Sequence, residues 1–277
     1  MRSKNLITNT FQGKKIVITG GSSGIGKALA HALLVQGSVV TIVSNRIDTL
    51  QSASEDFKAQ GLNAVALQCD LANCQDIEKL VNRIISDHGI PDILINNAGF
   101  AVYRTFEQSS LDEIERLMQV NLLSAMRLTK LFLPGFIQRK SGTIVNMASI
   151  AGKLAITPNG TYSTAKHGLV AWSECLQYEL SRFNIAVNVI CPGRVLTPFF
   201  DHETFKSRSK RKETGHVVPL ADVVNGTLRA IKKNRFMTYI PNTLGLISWL
   251  KATFPTVINP IYRRLMLSRI ESIYNPK

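Results

Sequence analysis

Acidic side chains are scarce in this chain of 277 residues: 19 Asp and Glu stand against 33 Lys and Arg, a formal charge of +14. Charged residues make up only 19% and apolar ones 45%, which excludes an intrinsically disordered chain. No low-complexity tract, internal repeat or Pro/Ser linker interrupts the sequence, so fibrous architectures are excluded and one domain over residues 1–277 is expected. The four cysteines, Cys69, Cys74, Cys175 and Cys191, form no CxxC pair and no metal-ligand spacing. Each lies in or beside an apolar run, so buried free thiols in a reducing compartment are expected, and no metal. No stretch reaches the about 18 consecutive apolar residues of a spanning helix, and Met1 to Lys15 holds no apolar run of signal-peptide length. Neither a membrane span nor secretion by such a signal is expected.

What is present is unevenly spread. Residues 206 to 277 carry 14 Lys and Arg against three Asp and Glu, so the positive field is concentrated at the C-terminal end.

Short β-branched runs alternate with helical stretches. Lys15 to Thr19, Val39 to Val43, Ala64 to Leu67, Asp92 to Ile95, Thr143 to Asn146 and Ile185 to Ile190 are too short for helices and read as buried strands, with a last one at Met237 to Ile240. Between them, Gly24 to Gln36, Arg46 to Gln60, Asn73 to His88, Leu111 to Gln138, Gly160 to Phe183 and Pro219 to Lys233 read as helices, most of them with 3.6-residue periodicity. Strict alternation of the two implies right-handed crossovers and an α/β fold: a doubly wound parallel sheet of about seven strands with helices on both faces.

The first strand runs into Thr19-Gly20-Gly21-Ser22-Ser23-Gly24-Ile25-Gly26 and then into a helix. A dinucleotide pyrophosphate needs backbone N–H groups at a helix N-terminus with no side chain in the way. Gly20 allows the tight turn, Gly24 the close approach and Gly26 the packing of helix on strand. At the tip of the second strand, where an NAD site places a carboxylate on the ribose, stand Ser44-Asn45-Arg46. A carboxylate about 4 Å from a 2′-phosphate would cost about 1 to 4 kcal/mol, whereas Arg46 attracts it. NADP(H) is thereby favoured over NAD(H).

Tyr162-Ser163-Thr164-Ala165-Lys166 lies in a helical stretch, and i to i+4 spacing puts the phenol and the ammonium on one face. Lowering a Tyr pKa from about 10 to about 7 takes about 4 kcal/mol, which one cation about 4 Å away at an effective dielectric of about 20 supplies. Ser149, just past the fifth strand, can donate to a carbonyl oxygen as charge builds on it.

In combination these motifs identify the chain as resembling the short-chain dehydrogenase/reductase family, of the single-domain Rossmann type, from about Lys14 to Ile240. Thr19 to Gly26 resembles that family's TGxxxGIG turn, including Ser22, Ser23 and Ile25. Asp70 and Leu71 sit where the family contacts adenine. Asn96-Asn97-Ala98-Gly99 resembles the NNAG segment that steadies the sheet and lines the nicotinamide ribose, and Asn121 matches the Asn that holds a relay water. Pro192, Gly193, Val195 and Thr197 resemble the PGxxxT segment over the nicotinamide amide. The family's NADP members often carry a cation before the second glycine, where this chain has Ser23. The resemblance implies that Tyr162 transfers a proton, Ser149 positions the oxygen, and Lys166 lowers the Tyr pKa and binds ribose.

A core of about 14–241 is expected, with a basic lid of about 198–218 over the substrate and an apolar, basic extension of about 242–277. The lid holds Lys206-Ser207-Arg208-Ser209-Lys210-Arg211-Lys212, which suits either solvent or an anionic partner such as a phospholipid surface or an acyl carrier's acidic helix; nucleic acid is not expected. Pro255 and Pro260 break the extension, which suits a membrane interface or packing on the body or on a second subunit. The expected function is NADPH-dependent reduction of a hydrophobic or lipid-like ketone, cytoplasmic or peripheral on a membrane. The alternatives are an NADP-linked dehydrogenase of a small or steroid-like alcohol, a non-catalytic NADPH sensor, and a membrane scaffold with a vestigial enzyme. Homodimers or homotetramers are common in the family.

Overall fold

A computed structural model describes residues 10–201, 203–206 and 217–274 of the chain. Seven strands form one parallel sheet: β1 (Lys15–Thr19), β2 (Val39–Ser44), β3 (Ala64–Gln68), β4 (Ile93–Asn96), β5 (Gly142–Met147), β6 (Ile185–Pro192) and β7 (Met237–Ile240), in the order β3-β2-β1-β4-β5-β6-β7. All pairings are parallel. The strand order reverses between β1 and β4, and the carboxyl ends of these two strands therefore open a crevice.

The helices are α1 (Gly24–Val35), α2 (Ile47–Lys58), α3 (Cys74–His88), α4 (Leu111–Met118), α5 (Ser124–Arg139), α6 (Gly160–Ser181), α7 (Glu203–Lys206), α8 (Leu220–Lys232), α9 (Thr243–Thr253) and α10 (Pro255–Tyr274). Strand side chains alternate between two apolar layers. Ile16 and Ile18 of β1 pack with Leu29 and Leu33 of α1, Leu50 and Phe57 of α2, and Val223 of α8. Val17 faces the other way, into a layer with Ile77 and Ile84 of α3, Phe132 and Phe136 of α5, and Leu176 and Leu180 of α6. Full burial of each such side chain contributes about 1.5–3 kcal/mol relative to exposure, so both sheet faces are committed to the core.

Helices α4 and α5 are one continuous rod with a π-helical turn at Gln119–Leu123. By length and composition this rod could cross a membrane. Its inner face is spent on the core through Leu117, Leu128, Phe132 and Phe136.

Two expectations are corrected. Cys69 and Cys191 are buried, but Cys74 opens α3 and Cys175 sits on an outward turn of α6; both are exposed, and all four thiols are free. Apolar neighbours in sequence do not bury a residue whose helical angle points to solvent. The extension is two helices: Pro255 ends α9 and starts α10, where a missing N–H costs nothing, while Pro260 lies inside α10 without ending it. The basic run from Ser207 to Lys212 lies outside the described residues.

Candidate active site

The turn after β1 is held from below. Thr19 Oγ1 accepts from the backbone N–H groups of Asn97 and Ala98, both at 3.0 Å, and Asn97 Nδ2 donates to Thr19 O at 2.9 Å and Gly20 O at 3.2 Å. Gly20 has φ +64° and Gly24 φ +51°, the left-handed region that favours glycine. A Cβ on Gly26 would stand 2.1 Å from Gly20 O, so α1 lies directly against the turn. No side chain caps α1, and its first turn carries no acidic residue. The free N–H groups and the positive helix end make an anion cradle.

A cleft of about 1420 Å³ runs from this cradle along the carboxyl ends of the strands. A single small ligand takes about 300–1,000 Å³; this cleft has room for a dinucleotide and a second molecule. It brings together Gly20, Ser22, Ser23, Gly24, Ile25, Asn45, Arg46, Asp70, Leu71, Asn97, Ala98, Gly99, Ser149, Tyr162, Lys166, Pro192, Gly193, Val195 and Thr197. Two of the expected residues do not line it. Gly26 lies behind the turn. Asn121 is 2% exposed and sits behind Gly99, where a Cβ would meet Asn121 Oδ1 at 2.4 Å.

The π-turn sets Asn121: its Nδ2 donates to Leu117 O and Phe100 O, each at 3.0 Å, while Oδ1 is buried with no partner among the described residues. Such turns often mark functional positions. Lys166 Nζ lies on the same side of Gly99. It donates to Met147 O at 2.8 Å and stands 5.8 Å from the centre of the Tyr162 ring, so α6 does present both side chains together.

A buried polar chain locks α6 to the sheet. Asn96 Nδ2 donates to Asn146 Oδ1 at 2.8 Å, Asn146 Nδ2 to Ser173 Oγ at 2.8 Å, and Ser173 Oγ to Leu169 O at 2.5 Å.

The protonation of the pair differs from the sequence expectation. Burial pushes Tyr162 up to about 12, and the contact with the Ser149 hydroxyl only partly offsets this. Burial likewise pushes Lys166 down to about 8. Desolvation outweighs one cation whose ammonium is turned toward Met147 O.

At the adenine end, Arg46 is exposed and paired with Asp48, Nη2 to Oδ2 at 2.6 Å, which holds the Asp48 carboxyl below its usual range. Asp70 accepts from Arg116 Nη2 at 3.1 Å and from Ala72 N. Sequence reasoning passed over Asp48 and Arg116, since their pairing depends on side-chain direction.

The far end of the cleft is aromatic. Phe199 meets Tyr162 edge-on with centroids 5.7 Å apart, and Phe199, Phe200, Phe205 and Tyr103 continue the contact in series. Leu265, Ser268 and Arg269 of α10 close this end. The four aromatic residues were not singled out as site residues from the sequence; a Phe199-Phe200 pair after the PGxxxT segment was the available signal.

The chain belongs to the short-chain dehydrogenase/reductase family and is an oxidoreductase of that type: residues 14–207 match the short chain dehydrogenase family. It is 35% identical over 260 residues to the ketoacyl reductase HetN of Nostoc sp., covering 92% of this chain and 90% of that protein. Among solved structures, a short-chain dehydrogenase from Sphingobium yanoikuyae in complex with NADPH is 26% identical with a TM-score of 0.76, covering 87% of this chain and 95% of that one. A single-substitution variant of the actinorhodin polyketide ketoreductase with NADPH is 28% identical with a TM-score of 0.74, covering 83% and 95%.

Proposed function

We propose that this protein is an NADPH-dependent reductase of a hydrophobic, lipid-like ketone. The observation that carries the reading is the position of Tyr162: its phenol lies between the glycine cradle and the wall of Phe199, Phe200, Phe205 and Tyr103, beside Ser149 and Lys166. A cradle that a Cβ on Gly24 would crowd, 3.2 Å from Thr197 Cβ, fits a dinucleotide pyrophosphate. Held at the turn of Gly20 and Gly24 and beside Asn97, Gly193 and Thr197, NADPH would supply the hydride for the carbonyl carbon. Tyr162 gives its proton to the oxygen, Ser149 donates a hydrogen bond that orients it, and Lys166 holds positive charge beside the phenolate left behind. Solvent returns the proton through a water held between Asn121 Oδ1 and Lys166. Burial keeps the Tyr162 phenol protonated, the state from which it gives its proton to the carbonyl oxygen. The ketoacyl and polyketide ketoreductase relatives support a ketone substrate. A cytoplasmic enzyme with membrane contact at its C-terminal end completes the reading, with a core of about 14–241, a lid of about 198–218 and an extension of about 242–277.

The test is NADPH oxidation across ketones of graded chain length, 3-ketoacyl compounds included; absence of turnover on all of them sinks the reading. Arg46→Ala is expected to raise KM for NADPH about tenfold with little change for NADH, the worth of one charged contact. Equal changes with both cofactors would assign the preference elsewhere. The rate should also depend on pH. Charged Lys166 is needed beside the phenolate, and its pKa is lowered to about 8, so kcat/KM falls as pH rises through about 8. Tyr162, at about 12, stays protonated through that range. A profile flat to about pH 10, the ordinary range of a lysine, would show that Lys166 keeps its charge there and that its pKa is not lowered in the working enzyme.

A further inference from the structure

The C-terminal hairpin turns its apolar side outward. Helix α9 packs on the body through Leu244 near Gly193, Gly245 against the Tyr239 ring, and the buried Ser248. Leu246, Ile247 and Trp249 are left to solvent at 47–57% exposure, and Trp249 meets Phe254 edge-on. Helix α10 is strapped across the cleft mouth by two phenols. Tyr262 Oη donates to Ala155 O at 2.6 Å, and Tyr274 Oη donates to Glu107 Oε2 at 2.7 Å. Its outer side carries Val257, Ile261 and Leu265 at i, i+4 and i+8, exposed at 62%, 67% and 56%. Ile258, Met266 and Ile270 are part-buried on its inner side, so apolar side chains stand on the outer side as well, where a soluble surface helix carries polar ones. Lys251, Arg263, Arg264 and Arg269 accompany them, against Glu271 alone.

We propose that this hairpin docks on an anionic lipid surface, and that docking sets the cleft mouth at the bilayer. A positive rim around an apolar stripe with Trp suits the headgroup and acyl boundary of such a surface. A second copy would bring cations against cations. Leu265 belongs both to the outer stripe and to the cleft wall, so a hydrophobic ketone passes from lipid to Tyr162 without crossing water. This last step rests on the reductase reading; the docking does not.

Full-length protein is incubated at low salt with vesicles of phosphatidylcholine plus phosphatidylglycerol, or of phosphatidylcholine alone, and sedimented. Strong partition onto the mixed vesicles, weakened by salt, is expected. Trp249→Ser/Ile261→Ser should lower it at least about tenfold, with turnover of a short water-soluble ketone unchanged and turnover of a vesicle-borne long-chain ketone lost. Wild-type protein left in the supernatant overturns the proposal. So does a double variant that partitions like the wild type, which would assign binding to another basic segment, and so does a dimer broken by the same substitutions in the absence of vesicle binding. Partition without turnover of any ketone would sink the reductase reading and leave the docking standing.

Discussion

Tyr162→Phe is expected to lower ketone reduction by about 10²- to 10⁴-fold, the usual worth of a positioned general acid, with NADPH binding retained. The substitution removes one oxygen and keeps the ring that packs on Phe199 and lies under Lys166 Nζ. The hydroxyl it removes is the one beside Ser149. Burial keeps that hydroxyl protonated, so its loss takes away a donor that water cannot replace in the same place. Fluorescence titration with NADPH separates binding from chemistry. A variant with full turnover and unchanged KM would end the assignment of Tyr162 as the acid.

Gly26→Ala is expected to damage both folding and cofactor binding. The added methyl would stand 2.1 Å from Gly20 O and 2.6 Å from Asn97 Nδ2, neither of which is the free end of a flexible chain, because Asn97 is engaged with Thr19 O and Gly20 O. Overpacking of a tight site costs about 1–3 kcal/mol or more, and each kcal/mol is worth about 2–4 °C in Tm for a domain of this size class. Since the clash moves α1 away from the turn, NADPH affinity should fall at least about tenfold, about 1.4 kcal/mol being tenfold. Gly160→Ala is the control: nothing lies within 4 Å of its Cβ. It should stay within about 0.5 kcal/mol of the wild type. Equal melting of the two variants would show that the turn yields more easily than its geometry indicates.

Much of the fold was legible in the sequence because it is written locally. Val and Ile runs of four to six residues have few ways to bury themselves other than as parallel strands, and each sequence-derived strand lies within two residues of the observed one. The glycine turn was legible for the same reason, since positive φ at Gly20 and Gly24 is a property of the residue. The i to i+4 spacing of Tyr162 and Lys166 needed only the pitch of a helix. The tail was not legible. Pro260 looks like a breaker, yet α10 continues through it, tied at Tyr262 and Tyr274 to loops more than a hundred residues away.

The sequence by itself determined the order of strands and helices, the cradle after β1 and the presence of a phenol, an ammonium and a hydroxyl at fixed spacing. Only the tertiary structure decided their protonation, the pairing of Arg46 with Asp48, the recess of Asn121 behind Gly99 and the aromatic wall drawn from positions 103, 199, 200 and 205. The division has one cause. Element type follows from neighbours along the chain, whereas desolvation and the lining of a cleft depend on which distant surfaces meet around a group.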